Sequence, residues 1–281
     1  MALWFTVFFL APLLIIVVYS FMKKGLYGGV SMGDFSLEAY RALANPSFAL
    51  ITVRTVITAL SATVITILIA MPCGYFMARS RNQTLLLLLI IIPFWTNFLI
   101  RVFAWMNILA NNGFLNDLLT RLHLVQDYIP FMYNQGAVVL VLVYMYLPYA
   151  ILPLFSTIDK FDFSLLEAAR DLGASKPVSL VRVLLPSIRS GVYTAVLFTF
   201  IPIFGAYAVP LLVGGKDSYM LGNVVADQLT KARNWPLASA ISLVLTAVTT
   251  VGIMVMMALQ KQDAVRLQGR AARRAESGGP L

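Results

Sequence analysis

The sequence predicts an all-α protein that crosses a membrane six times, and three observations lead there. Mean hydropathy is +0.83. Of the 281 residues, 60% are hydrophobic and only 12% charged, against about 25% charged in a soluble domain. Six stretches, near 2–22, 53–78, 84–109, 136–158, 190–213 and 237–259, each supply the run of apolar residues, about 20 long, that a spanning helix needs.

In order, the first stretch (2–22) reads as a span rather than a secretory leader, because no basic residue precedes it and no small-x-small cleavage site follows. Residues 23–52 form a connection with Asp34, Glu38, Tyr40 and a turn at Asn45-Pro46. The second and third stretches are joined through Arg79 and Arg81. The third carries Pro93 and the fifth Pro202 and Pro210, which predict kinks or breaks. Such breaks are tolerated where the freed backbone is buried in protein or lines a cavity. Between the third and fourth stretches lie Asn111-Asn112-Gly113, Asp117 and Asp127. Between the fifth and sixth lie Gly214-Gly215, Asp217, Asp227 and Trp235-Pro236. Residues 1–260 thus read as one six-helix membrane domain and 261–281 as a basic, disordered tail.

An even number of spans puts both termini on one side. The tail holds Lys261, Arg266, Arg270, Arg273 and Arg274, and the loop 160–189 on the same side holds Lys160, Arg170, Lys176, Arg182 and Arg189. The positive-inside rule makes that side cytoplasmic. Lys23 and Lys24 run against this bias. The formal charge of +9 is explained by topology and does not call for nucleic acid. Cys73 and His123 are the only residues of their types, so neither an internal disulfide nor a histidine-rich metal site is available.

The loop 160–189 is polar and well punctuated. Ser164 and Glu167 have the S-x-x-E spacing of a capping box. Gly173 stands where a short helix would end in a left-handed C-cap. Ser175 and Pro177 suit the start of a second helix. A helix–turn–helix built on one membrane-surface loop offers itself to a partner. No P-loop is present: Gly215-Lys216 is followed by Asp217, with Pro210 where the first glycine belongs. No metallohydrolase or nucleophile-elbow motif occurs, no cofactor is implied, and acidic residues avoid the spans, which argues against an ion-coupled relay. A secondary transporter or a membrane scaffold are the readings of another class. The first lacks intramembrane acids and repeats, and the second has no need of this loop.

Glu167-Ala168-Ala169, Gly173 and Val183-x-Leu185-Pro186 keep the spacing E-A-A-x3-G-x9-I-x-L-P, with valine in place of isoleucine. This resembles the loop of bacterial type I ABC importer permeases, the inner-membrane components of binding-protein-dependent transport. Residues 93–101 (PFWTNFLIR), Gly222-Asn-Val and Trp235-Pro236 are similar to the first permease subunits of spermidine/putrescine importers. The resemblance implies a non-catalytic permease of the bacterial inner membrane. Its partners would be membrane lipid, a second and distinct permease, a dimeric ATPase and an extracytoplasmic solute-binding protein. Leu165, Glu167, Ala168, Ala169, Gly173 and Pro186 would then belong to a coupling helix on the ATPase, with Leu166 and Leu172 as further apolar anchors. The implied substrate is a polyamine; another amine, an opine or an amino-acid-like solute is the alternative. For a cation, Phe94 and Trp95 offer ring faces and Asn97 an acceptor, with Tyr207 as a gate or packing residue and Asp227 as an outer attractant. Arg101 reads as structural, paired with Asp117 or a partner subunit.

Overall fold

The structure, a computed structural model, describes residue 4 and residues 6–277. It is helical apart from a small hairpin. A π-turn Thr6–Leu10 leads into α1 (Ala11–Ser20), followed by β1 (Met22–Lys24), β2 (Val30–Phe35) and α2 (Glu38–Leu43). Then come α3 (Pro46–Arg79), α4 (Gln83–Ile91), a 3-10 turn Ile92–Trp95, α5 (Phe98–Leu109), α6 (Phe114–Arg121) and α7 (Gln135–Ile158). The polar loop supplies α8 (Ser164–Asp171), α9 (Lys176–Ser179), a π-turn Leu180–Leu184 and α10 (Leu185–Ser187). The chain ends with α11 (Arg189–Phe204), α12 (Ala208–Val213), a 3-10 turn Lys216–Ser218, α13 (Leu221–Thr230) and α14 (Trp235–Ser277).

Among the described residues, four helical stretches are long and apolar enough to cross a membrane: Pro46–Arg79, Phe98–Arg121, Gln135–Ile158 and Trp235–Gln262. A fifth crossing is made if Lys176–Ser187 and Arg189–Phe204, bent at 76° to each other, act as one. The first expected stretch is present as the shorter apolar helix Thr6–Ser20. The third is split into Gln83–Trp95 and α5, and the fifth into α11 and α12. Only the first of these splits lies at a proline: Pro93 sits in the 3-10 turn, whereas Pro202 and Pro210 lie inside α11 and α12. The last helix continues through Ser277, so residues 261–277 are helical where a disordered tail was expected. Alanine and arginine, with four residues each, dominate that segment, and both are strong helix formers. Residues 278–281 lie outside the described residues.

α3 and α7 form the central pair, α11 packs against both, and α14 covers α1 and α13. The pairing is close because α3 presents Ala59, Ala62, Ala70 and Gly74 to its neighbours, all buried. Two cores result. One, towards the end of α3 near Pro46, contains Ala59, Ala62, Val102, Leu142 and Phe204. The other, towards Arg79, contains Ala70, Met77, Leu154, Ile158 and Leu184. Several buried threonines satisfy their hydroxyls on their own helix, as in Thr66 to the Ala62 carbonyl at 2.7 Å and Thr199 to that of Ala195 at 2.8 Å; buried Thr63 does not. Asparagine caps recur at helix starts: Asn45, Asn134 and Asn234 accept from Ser47, Ala137 and Leu237 amides at 3.0, 2.8 and 3.2 Å. Each satisfies a donor that the helix leaves unpaired.

Candidate functional site: a capped surface loop and two helix joints

α8 is amphipathic, and its register decides what it shows. Phe163 packs edge-on against Tyr75 at 6.0 Å and lies 5.3 Å beneath the Arg79 guanidinium. Leu166, three residues on, is buried in the core with Ile158 and Leu184. The opposite face carries Leu165, Glu167, Ala168 and Leu172, all exposed. Leu172 is 90% exposed although it is apolar. Leu166 therefore anchors the helix to its own bundle, and Leu165 and Leu172 face outward.

The expected capping box does not form. The Ser164 amide donates to the Asp162 carboxylate at 3.0 Å, so the cap lies two residues earlier. The Ser164 hydroxyl and amide together hold the Asp162 carboxyl below its ordinary range. An aspartate accepts two residues ahead as readily as a serine three ahead, and here it wins because Phe163 must turn into the core. Glu167 is left on the exposed face.

The other end of α8 is as expected. Gly173 has φ +88 and nothing within 4 Å of where a Cβ would stand, so glycine is required by the backbone and not by space. Its amide donates to the Arg170 carbonyl at 2.8 Å, and the Ala174 amide to that of Ala169 at 3.0 Å. These two bonds make a Schellman turn. α9 then starts at Lys176, after Ser175, with Pro177 in its first turn. Ala169 and Pro186 are half-buried.

The first joint, in the third stretch, lies between Ile92 and Phe98. Phe94 is sandwiched: Tyr149 meets it edge-on at 5.2 Å and Arg101 covers its face at 4.4 Å. Arg101 thus finds its partner in Phe94 and not in Asp117. One ring face expected for a substrate is already occupied by the chain's own cation. Asn97 is committed too, since its Oδ1 accepts the Leu99 amide at 2.8 Å and caps α5. Trp95 remains free, 86% exposed.

The second joint, Gly205 to Tyr207, separates α11 from α12. Asn223 Nδ2 donates to the Tyr207 carbonyl at 2.8 Å, and Asn223 Oδ1 accepts the Met220 amide at 3.1 Å. A Cβ on Gly222 would come within 2.5 Å of the Ala206 carbonyl oxygen and 2.8 Å of that of Gly205. The Leu221 amide donates to Thr55 Oγ1 at 2.9 Å, which ties this corner to α3. The Tyr207 side chain is half-exposed. The two joints meet, because α5 touches α12 and Phe98, Phe204, Ala206 and Val209 share one core.

Asp227 is engaged elsewhere. It accepts from Lys231 Nζ at 2.8 Å and from the Tyr219 hydroxyl. Hydrogen bonds from Lys231 and Tyr219 hold its carboxyl below the usual range. Burial and the neighbouring carboxylate push the Tyr219 phenol up to about 12. The i,i+4 spacing of Asp227 and Lys231 was a readable signal. Sequence reasoning left out Asp162 and the role of Asn223. Asp162 had a signal, an aspartate two residues before the helix; Asn223 was seen in the Gly222-Asn-Val motif, but its partner Tyr207 is distant in sequence. Among the described residues no group of acidic, histidine or cysteine side chains is placed to hold a metal.

Comparison with known proteins gives a consistent set of relatives. The family described as "Binding-protein-dependent transport system inner membrane component" matches residues 67–264. The spermidine/putrescine transport system permease protein PotB of Escherichia coli K12 is 36% identical over 247 residues, 87% of this chain and 90% of that protein. PotB of Haemophilus influenzae is 36% identical over 256 residues, 90% and 88% of the two chains. The inner membrane ABC transporter permease protein YdcU of Escherichia coli K12 is 29% identical, covering 86% and 82%. Among solved structures, a bacterial ABC transporter that imports alginate superposes with a TM-score of 0.70 at 14% identity, covering 93% and 92%. A bacterial alginate ABC transporter in complex with its alginate pentasaccharide-bound periplasmic protein gives 0.73 at 12% identity, covering 91% and 89%.

Proposed function

The chain belongs to the binding-protein-dependent transport system inner membrane components, a multi-pass permease without catalytic chemistry of its own, and on that premise we propose that it carries polyamines. It forms half of a translocation path with a second, distinct permease. A dimeric ATPase binds the 160–189 loop on the cytoplasmic side, where the C-terminus also lies. An external binding protein delivers spermidine or putrescine. The observation that carries the substrate class is the 36% identity to spermidine/putrescine permeases across nearly the whole chain.

The loop geometry supports the coupling role. α8 is fixed at one end by Asp162 and at the other by the Gly173 turn, so it moves as a rigid piece. Glu167, Ala168, Leu165 and Leu172 are the surface it presents, with Ala169 and Pro186 setting its seat. Gly173→Val strains the left-handed position by about 1–2 kcal/mol. It should weaken ATPase co-purification or uncouple hydrolysis from uptake. Normal co-purification with normal uptake would remove the loop from this role.

Trp95 is the residue that offers a ring face to the passing amine. Loss of a cation–π contact costs about 0.5–2 kcal/mol. Trp95→Ala should therefore slow uptake several-fold and Trp95→Phe much less, with expression and ATPase association unchanged. The substrate itself is tested in cells lacking their own polyamine importers, supplied with the permease pair, ATPase and binding protein. Labelled spermidine should enter and putrescine should compete. Entry of an amino acid or opine instead would reassign the transporter within its family.

A further inference from the structure

The β1–β2 hairpin takes no part in the polar loop or the two joints, yet it turns apolar side chains outward. Leu26 and Tyr27 at its tip are 101% and 95% exposed, and Phe35 on β2 is 74% exposed. The tip is pinned. The Gly28 amide donates to the Gly25 carbonyl at 3.0 Å, and the Gly29 amide to the Arg233 carbonyl at 2.8 Å. Arg233 lies two residues before α14 begins, and β1 starts two residues after α1 ends. The hairpin is thereby fixed level with the ends of two apolar helices. The Tyr19 and Trp235 rings meet at that level, 6.2 Å apart, as aromatic residues do at a membrane–water boundary.

The outward apolar surface also continues onto the first helix. A groove of about 420 Å³ runs from Val17 and Val18 on α1 past Phe21 to Phe35 and Leu37. Exposed Lys23 and Lys24 stand on β1. Apolar side chains beside cations, at the height where helices leave the bilayer, match a lipid interface: hydrocarbon below, phosphate above. A soluble partner covering the tip would leave the lower half of the same groove, on α1, facing hydrocarbon.

We infer that the hairpin is an interfacial membrane anchor. Leu26 and Tyr27 sit among the headgroups of the leaflet opposite the 160–189 loop. Lys23 and Lys24 meet lipid phosphates, and an acyl chain lies in the groove beside Phe35. This also accounts for two lysines that oppose the basic bias of the loops. Naming that leaflet as the outer one rests on the orientation proposed above; the anchoring does not.

The test uses the complete transporter in nanodiscs of phosphatidylethanolamine and phosphatidylglycerol, with Tyr27→Cys in a Cys73→Ser background and a nitroxide at position 27. Signal from the same transporter without the position-27 cysteine is subtracted. Oxygen, which concentrates in lipid, should relax the label more than a water-soluble nickel chelate does. Nickel dominance would place the tip in water and overturn the anchor. Exclusion of both reagents before the binding protein is added would give the surface to the second permease. Loss of access only on adding the binding protein would make it that protein's docking site. Lys23→Glu with Lys24→Glu should raise nickel access at position 27, and unchanged access would overturn the phosphate contact.

Discussion

The third and fifth apolar stretches are both interrupted, and they satisfy the freed backbone in opposite ways. At the first joint everything is local. The Thr96 hydroxyl donates to the Pro93 carbonyl at 2.6 Å, and Asn97 caps the Leu99 amide two residues ahead. Trp95, Thr96 and Asn97 are all exposed. At the second joint the partner is remote: Asn223, 1% exposed, reaches back to Tyr207 across sixteen residues of sequence. The first joint keeps its backbone hydrogen bonds within itself, although Phe94 still packs on Tyr149 of α7. A joint satisfied by a distant helix moves only if that helix moves with it, so α13 and the 214–236 connection belong mechanically to the fifth stretch.

Four substitutions break or sharpen this contrast. The largest effect is expected from Asn223→Ala, which orphans the Met220 amide at a cost of about 1–3 kcal/mol and removes the bond from α13 to the Tyr207 carbonyl, leaving that carbonyl only the Leu211 amide at 3.0 Å. Thermal unfolding of the purified complex should shift well below that of the parent. If it does not, the second joint is not held by α13. Next is Gly222→Val, whose Cβ meets two carbonyl oxygens; overpacking of this kind costs about 1–3 kcal/mol. The same melting experiment reads it, and uptake should fall with it.

Asn97→Ala at the self-satisfied joint should cost less, about 1 kcal/mol for a lost N-cap. Because the loss is local, it should leave limited proteolysis of the 214–236 connection unchanged, whereas Asn223→Ala should increase it. Equal proteolysis in both variants would erase the distinction between the joints.

The smallest effect is expected at Asp227. Its folded carboxyl lies below the unfolded value of 3.8, so its contribution is complete above that value and is lost as pH falls through the folded one. Tyr219 has the opposite sign. Its folded value of about 12 lies above the unfolded 10.0, so its contribution holds below 10.0 and fades as pH rises towards 12. Stability should therefore be flat between these limits as far as this pair is concerned. Asp227→Asn should cost under about 1 kcal/mol, as for other partly exposed ion pairs. It should also move the Tyr219 titration, followed by tyrosinate absorbance, part of the way back to 10.0. Lost uptake with unchanged melting would instead give Asp227 to the solute.

The contrast also explains what the sequence made legible. Hydropathy located the six stretches, and Pro93 marked the first joint, because a missing amide and a fixed φ act on their own neighbours. Gly173 was readable for the same reason, as the end of a helix whose beginning was visible. The second joint was legible only as a break expected in a stretch carrying Pro202 and Pro210, not in its position or in what holds it. Its prolines sit inside helices, and its stabiliser, Asn223, matters only once the chain has folded back. The hairpin was missed because β1 has only three residues and the register slips between Met22 and Lys23, leaving no alternation to detect. In the candidate site, the exposed face of α8 was legible as a motif, but its cap was misplaced from Asp162 to Ser164, since both residues suit the position and only the inward turn of Phe163 separates them. Phe94 and Asn97 were read as open to a ligand because nothing in the sequence says that Arg101 and the Leu99 amide claim them first.

The 76° corner at Ile188 makes the polar loop and α11 the two arms of a bell-crank. The arms are Lys176–Ser187 and Arg189–Phe204. α11 has sixteen residues, an arm of about 24 Å at 1.5 Å per residue. A rotation of about 5° about the corner would swing the tip of such an arm by about 2 Å. That tip is Phe204, next to the Gly205 hinge. Any such rotation would be felt where the fifth stretch already has a joint to receive it.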